Sequence, residues 1–170
     1  MTRSRRILLA AGAAIAIIGA SAIVQSDPII IWNASASVPI GLYLVTPIQQ
    51  LHVGDLVALA APAPLKNWMV ERGHLGPDAP LLKHVAALPP AEICRIGTTI
   101  LIDGSAVTEA LPRDRMGRSL PVWHGCQRLA EDEVFLLNTD APGSLDGRYF
   151  GPLGTDIIIG RATPFWTREG

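Results

Sequence analysis

The sequence predicts a mainly β domain behind one membrane-length apolar segment, and three observations predict it. Pro and Gly number 14 and 16 and are spread along the chain, which suits a turn-rich sheet better than a helical bundle. Short β-rich runs recur between turn signals, the clearest being residues 98–107 with Asp103-Gly104 at their centre. The run 7–24 carries no charge at all. The 170 residues suffice for one domain with a real core. They divide into a tip and apolar segment at 1–26 and a domain at 27–170. The net charge of −1 points away from nucleic acid, and no metal or cofactor is expected.

At about 1.5 Å per residue the apolar run just crosses a bilayer core. Arg3, Arg5 and Arg6 precede it and should keep that end in the cytoplasm. A cleaved signal peptide is the competing reading, because Ala20-Ser21-Ala22 resembles a cleavage site. The run exceeds a usual signal core, so a retained anchor is preferred; either reading exports the domain. Residues 29–32 form an apolar patch, read as a buried first strand or as a contact with the membrane interface, where Trp is favoured.

A strand at 42–45 follows the turn made by Pro39 and Gly41, and another at 56–60 follows Val53-Gly54-Asp55. Residues 62–72 are the best helical stretch, with Leu65, Met69 and Val70 roughly on one face and Gly73 to stop it. Residues 80–88 form a strand, 98–107 a hairpin, 111–127 a polar surface excursion, 133–138 a core strand and 157–162 a closing strand. Cys94 and Cys126 are the only cysteines. Export permits a bridge between them, closing a loop of about thirty residues and adding about 3–4 kcal/mol. Two separate buried thiols are the alternative.

Three stretches carry chemistry. In 33–43, Ser37 sits among small and apolar neighbours before Pro39 and Gly41, and is read as a nucleophile against the alternative of an ordinary polar turn. A serine needs a base, and lysine can serve only when neutral. The chain offers two lysines, Lys66 and Lys83. Lys66 falls on the helical stretch and is read as solvated. By alternation Lys83 shares a face with Leu81 and Val85 on an apolar strand, where burial would lower its pKa. The alternative is an edge-strand lysine that reaches out to solvent. In the turn-rich loop 138–151, Ser144, Asp146 and Arg148 alternate, and an extended segment would project them to one side. Asp146 and Arg148 could instead simply pair with each other. A rival arrangement is a Ser/His/Asp hydrolase using His84 or His124 with Asp146. His84 alternates away from Lys83, so only one of them can face Ser37.

Asn33-Ala34-Ser35-Ala36-Ser37-Val38-Pro39-Ile40-Gly41-Leu42-Tyr43, Leu82-Lys83-His84-Val85-Ala86-Ala87-Leu88-Pro89, Ser144-Leu145-Asp146-Gly147-Arg148-Tyr149-Phe150-Gly151 and Gly160-Arg161-Ala162 resemble, in this order, the signal peptidase I superfamily of Ser/Lys serine peptidases. Within it the TraF-type conjugative-transfer peptidases look most similar. The resemblance implies a signal-peptidase-like coiled antiparallel β-sheet domain preceded by one transmembrane helix. It implies Ser37 as nucleophile, Lys83 as general base, and Ser35 with the Ser37 N–H as oxyanion hole. Ser144 would hydrogen-bond the lysine, and Asp146 and Arg148 would shape the site from behind.

The implied substrates are precursor proteins or pilin subunits, processed beside the bilayer of a bacterial inner membrane. The domain would then lie in the periplasm, in contact with conjugation or secretion machinery. Departures are Val38 after the nucleophile, His84 after the lysine, Pro89-Pro90-Ala91 in place of a Pro-Gly-Asp turn, Gly147 for a serine, and a reduced loop before Ser144. None removes a reacting group. A non-catalytic membrane-tethered β module that scaffolds such an apparatus is the alternative, and the presence of Ser37 together with Lys83 weighs against it.

Overall fold

The computed structural model describes residues 30–168. The expected membrane anchor lies outside them, and among the described residues no helix is long and apolar enough to cross a membrane. The chain enters on β1 (Ile30–Asn33) and returns as β2 (Gly41–Thr46), followed by β3 (Leu56–Leu59), helix α1 (Ala63–Glu71) and β4 (Leu81–Ala87). Next come β5 (Glu92–Ile96), β6 (Thr99–Ile102), β7 (Ser105–Glu109), β8 (Gly125–Arg128) and β9 (Glu133–Leu137). A short helix α2 (Gly147–Phe150), β10 (Leu153–Gly154), a 3₁₀ turn at Thr155–Ile157 and β11 (Ile158–Thr167) complete the order.

Seven strands form one sheet in the order β1-β2-β11-β3-β4-β9-β10, and four form a second in the order β7-β6-β5-β8. Neighbours pair antiparallel throughout. The architecture is therefore mainly β, as the turn-rich composition predicts.

Alternation explains how the strands bury their faces. On β2, Tyr43 and Val45 point inward and join Ile31, Val38, Ala58, Leu82 and Ala162 in one cluster. Val57, Leu59, Leu81, Val85, Val134 and Leu136 form a second, covered by Met69, Leu65 and Trp68 of α1. A third cluster of Ala87, Ile93, Ile100, Leu129, Phe135 and Leu137 joins the two sheets. Full burial of a side chain of Phe or Leu size contributes about 1.5–3 kcal/mol, so this third cluster fixes how the sheets meet. Helix α1 starts after Pro62, with Pro64 in its first turn, and ends where Gly73 takes a φ of 70°. There the N–H of His74 donates to Met69 O at 2.8 Å.

Three expectations need correction. The first strand is buried on one face only: Ile31 and Asn33 point in, whereas Ile30 and Trp32 are 61% and 52% exposed. The closing strand begins at Ile158 and runs to Thr167, because an irregularity after Pro164 lets β11 keep pairing with β2 after it leaves β3. The 111–127 excursion is tied more firmly than a surface loop: Leu120 is buried, Arg113 bridges to Ser119, and its end enters β8. The alternative of an edge-strand Lys83 is set aside, since β4 lies between β3 and β9 and the side chain is buried, as expected.

Candidate active site

The loop between β1 and β2 is built around the Asn33 side chain. Asn33 ends β1 at an inward position, and its amide replaces the ladder that the loop lacks. Nδ2 donates to Ser35 O at 2.8 Å, and to Val38 O and Pro39 O at 3.1 Å each. Oδ1 accepts from the Ser35 N–H at 3.0 Å and the Ser35 hydroxyl at 2.8 Å. Tyr43 clamps the loop's far side, donating its hydroxyl to Pro39 O at 2.6 Å. Held this way, Ser37 is half-buried and Ser35 exposed, with their Oγ atoms 3.1 Å apart.

Strand β4 brings Lys83 to the same place. Its amine lies 3.5 Å from Ser37 Oγ and donates to Ser144 Oγ at 2.9 Å. The first distance is at the outer edge of hydrogen-bonding range, as is common before substrate tightens such contacts. Lys83 is 4% exposed. Burial lowers its pKa from 10.5 to about 8; the Asp146 carboxylate pulls it back up and the Arg148 guanidinium pushes it down. A lysine so placed is neutral for a useful fraction of molecules near neutral pH. A hydroxyl beside such an amine can be deprotonated as it attacks a carbonyl.

Asn138, at the end of β9, fixes the lysine's strand. Its Nδ2 donates to Leu82 O at 3.0 Å and its Oδ1 accepts from His84 N at 3.2 Å, one bond on each side of Lys83. Its backbone N–H donates to Asp146 Oδ2 at 3.0 Å. Asp146 and Arg148 form a buried fork, with Nε to Oδ1 and Nη2 to Oδ2 both at 2.9 Å. Arg148 also donates to the carbonyls of Asn138, Ala141, Pro142 and Ser144 and to the Thr108 hydroxyl. The guanidinium thus gathers the whole 138–146 loop and sets Ser144 under the lysine.

Ser144, Asp146 and Arg148 do not project from an extended segment, as alternation suggests. Asp146 caps α2, accepting the Arg148 N–H at 3.2 Å, and the chain coils back on itself there. Gly147 opens that turn. A Cβ on it would lie 2.6 Å from Phe135 Cε2 and 2.8 Å from Leu136 O, which leaves no room for a serine at this position without repacking. Trp123 Nε1 donates to Gly147 O at 3.0 Å, and Arg95 Nη1 to Arg148 O.

Cys94 and Cys126 are bridged across paired positions of β5 and β8. With Glu92 they form the one cluster of metal-ligand type among the described residues, and the bridge takes up both sulfurs. His84 is exposed, and its Nδ1 lies 3.1 Å from Asn138 Oδ1. His124 is exposed as well. Neither histidine shares a hydrogen bond with Ser37 or Asp146 among the described residues, which sets the Ser/His/Asp rival aside. A groove of about 370 Å³ lined by Leu65, Trp68, Phe150 and Leu153 shares no residue with this cluster. Sequence reasoning missed Asn33, Asn138 and Tyr43. The available signal was a polar residue at an inward strand position for Asn33, and one closing a core strand for Asn138.

A family model described as signal peptidase, peptidase S26, matches residues 3–166. The conjugal transfer protein TraF of Agrobacterium fabrum is 31% identical over 147 residues, covering 79% of this chain and 81% of that protein. A probable conjugal transfer protein TraF of Sinorhizobium fredii is 33% identical over 142 residues, covering 76% and 73%. A crystal structure of a signal peptidase I from Enterococcus faecalis aligns at 20% identity and a TM-score of 0.39, over 68% of this chain and 99% of that one. The chain belongs to the peptidase S26 family of signal peptidases, close to the TraF proteins of conjugal transfer.

Proposed function

We propose that the protein is a membrane-anchored serine endopeptidase that processes exported precursors, signal-peptide-bearing or pilin-type, for conjugative transfer. The observation that carries the reading is the buried Lys83 amine between Ser37 Oγ and Ser144 Oγ. Ser37 Oγ attacks the scissile carbonyl carbon while its proton passes to neutral Lys83. The oxyanion accepts hydrogen bonds from the Ser37 N–H and the Ser35 hydroxyl. One such donor is worth about 3–4 kcal/mol. The carbon–nitrogen bond then breaks, the lysine ammonium returns its proton to the leaving amine, and an acyl-enzyme remains on Ser37. Water resolves it, or a substrate amine does so and closes a ring.

The test is precursor processing in membranes holding the full chain, with a precursor that carries Ala-X-Ala before the mature end. Wild type cleaves it; Ser37→Ala and Lys83→Ala do not, although both fold. Processing unchanged in both variants would leave the scaffold as the better account.

The same proposal places the protein in a bacterial inner membrane, with residues 1–6 in the cytoplasm and the domain in the periplasm. The outward face and end of the β1-β2-β11 edge support it. Ile30, Trp32, Leu44, Phe165 and Trp166 are exposed there, and the Trp32 and Trp166 rings stack at 6.2 Å. An apolar face with paired tryptophans suits the membrane interface, and β1 follows shortly after the apolar run. In vesicles whose acyl chains are brominated, tryptophan emission of the full chain falls. Trp32→Phe with Trp166→Phe removes most of that quenching. Equal fractional quenching in the variant would place this face away from lipid.

A further inference from the structure

We infer that Asn33 is a positioning residue that holds the Ser35 hydroxyl in reserve and releases it to the oxyanion; the inference rests on the Ser/Lys reading above. The direction of each hydrogen bond carries it. Asn33 Oδ1 can only accept, so in the 2.8 Å contact the Ser35 hydroxyl is the donor. Which end of the amide is Oδ1 follows from its partners. It faces the Ser35 N–H, whereas Nδ2 faces three carbonyl oxygens. A flipped amide would set N–H against N–H and oxygen against oxygen.

A hydroxyl has one proton. With that of Ser35 spent on Asn33, the 3.1 Å contact between the two serines has Ser37 as donor. Lys83 in turn donates to Ser37 Oγ at 3.5 Å. The resting chain therefore donates in one direction, from Lys83 to Ser37 to Ser35 to Asn33. Catalysis needs the opposite sense at both serines. Ser37 must donate to the lysine nitrogen, and Ser35 must turn its proton toward the developing oxyanion.

Asn33 makes that turn inexpensive. When the Ser35 hydroxyl leaves, Oδ1 keeps the Ser35 N–H at 3.0 Å, so no buried acceptor is left without a partner. Meanwhile Nδ2 continues to hold the carbonyls of Ser35, Val38 and Pro39, and the loop carrying Ser37 does not move. One amide thus fixes the loop through its nitrogen and parks the oxyanion donor through its oxygen. Asn33 touches neither substrate nor reacting atoms in this scheme; it acts through Ser35 and through the loop backbone.

The test uses the full chain in detergent or vesicles with an internally quenched peptide bearing Ala-X-Ala before the scissile bond. Asn33→Ala lowers kcat by about 10–100-fold, below the loss of a whole oxyanion donor, and leaves KM nearly unchanged. On a Ser35→Ala background the same substitution costs less, because the share of its effect that passes through the hydroxyl is already gone while the share that passes through the loop backbone remains. A role in folding alone would lower the thermal midpoint without splitting kcat from KM or coupling to Ser35. Should Asn33→Ala fail to fold, Asn33→Ser keeps a short acceptor and carries the same measurement. If Ser37→Ala is inactive but folded Asn33 variants stay within about twofold of wild type, or add fully to Ser35→Ala, the inference is overturned and the peptidase reading stands. If Ser37→Ala cleaves the peptide as wild type does, the peptidase reading fails and this inference with it.

Discussion

Cleavage by the wild-type protein should rise with pH through about 8 and then level, and Lys83→Met should abolish it. The sign follows from which form of the amine works. Neutral Lys83 accepts the Ser37 proton; the ammonium cannot. Burial lowers the lysine's pKa from 10.5 to about 8, so the working form grows tenfold per pH unit below that value and saturates above it. The profile of kcat/KM reports the free enzyme and is the one to measure. Lys83→Met removes the base and should reduce turnover by about 10⁴-fold or more. Lys83→Arg should be as inactive, because a guanidinium stays protonated. A flat profile between pH 6 and 9, or an active methionine variant, would remove Lys83 from the mechanism.

The same burial has a stability consequence of fixed sign. Between pH 8 and 10.5 the unfolded chain holds the lysine proton and the folded chain releases it, so stability rises with pH across that window. Lys83→Met should lack this slope and, at neutral pH, should unfold at higher denaturant than wild type, since it no longer buries a charged amine. Gain of stability with loss of activity separates a functional lysine from a structural one.

What the sequence tells and what it hides divides by the range of the interaction. The Asp103-Gly104 hairpin is legible because both residues adopt positive φ, 48° and 78°, a local demand that Asp-Gly meets. Lys83 is legible because one charge on an apolar strand is costly and calls for a reason. The coil of the 144–150 segment is not. Ser144, Asp146 and Arg148 alternate like a strand, yet a carboxylate cap and a guanidinium reaching four carbonyls bend the chain, and neither leaves a periodic trace. Strands β5 and β8 went unseen for a similar reason. They are short, β8 is exposed throughout, and a bridge joins them at a position that pattern does not mark. Asn33 and Asn138 act through side-chain amides that complete a backbone ladder, and a single asparagine near a turn has many commoner explanations.

Arg148→Ala should lower the unfolding free energy by about 3–5 kcal/mol, a large share of the 5–15 kcal/mol typical of a whole domain. The Arg148 side chain is 1% exposed and that of Asp146 0%. Removing the guanidinium strands a carboxylate in the interior and leaves the carbonyls of Ala141 and Ser144 without this donor. Asp146→Ala errs in the opposite sense, leaving a buried cation with only carbonyls and the Thr108 hydroxyl as partners, and should cost about as much. The pair of replacements should cost clearly less than the sum of the two, because most of each single penalty is the orphaned partner. Arg148→Lys keeps the charge but offers a point donor in place of a fork, so it should recover only part of the loss. Urea unfolding of the disulfide-intact protein measures all four. Strict additivity of the two alanine changes would mean that Asp146 and Arg148 act independently and that the loop under Lys83 is held by something other than their pairing.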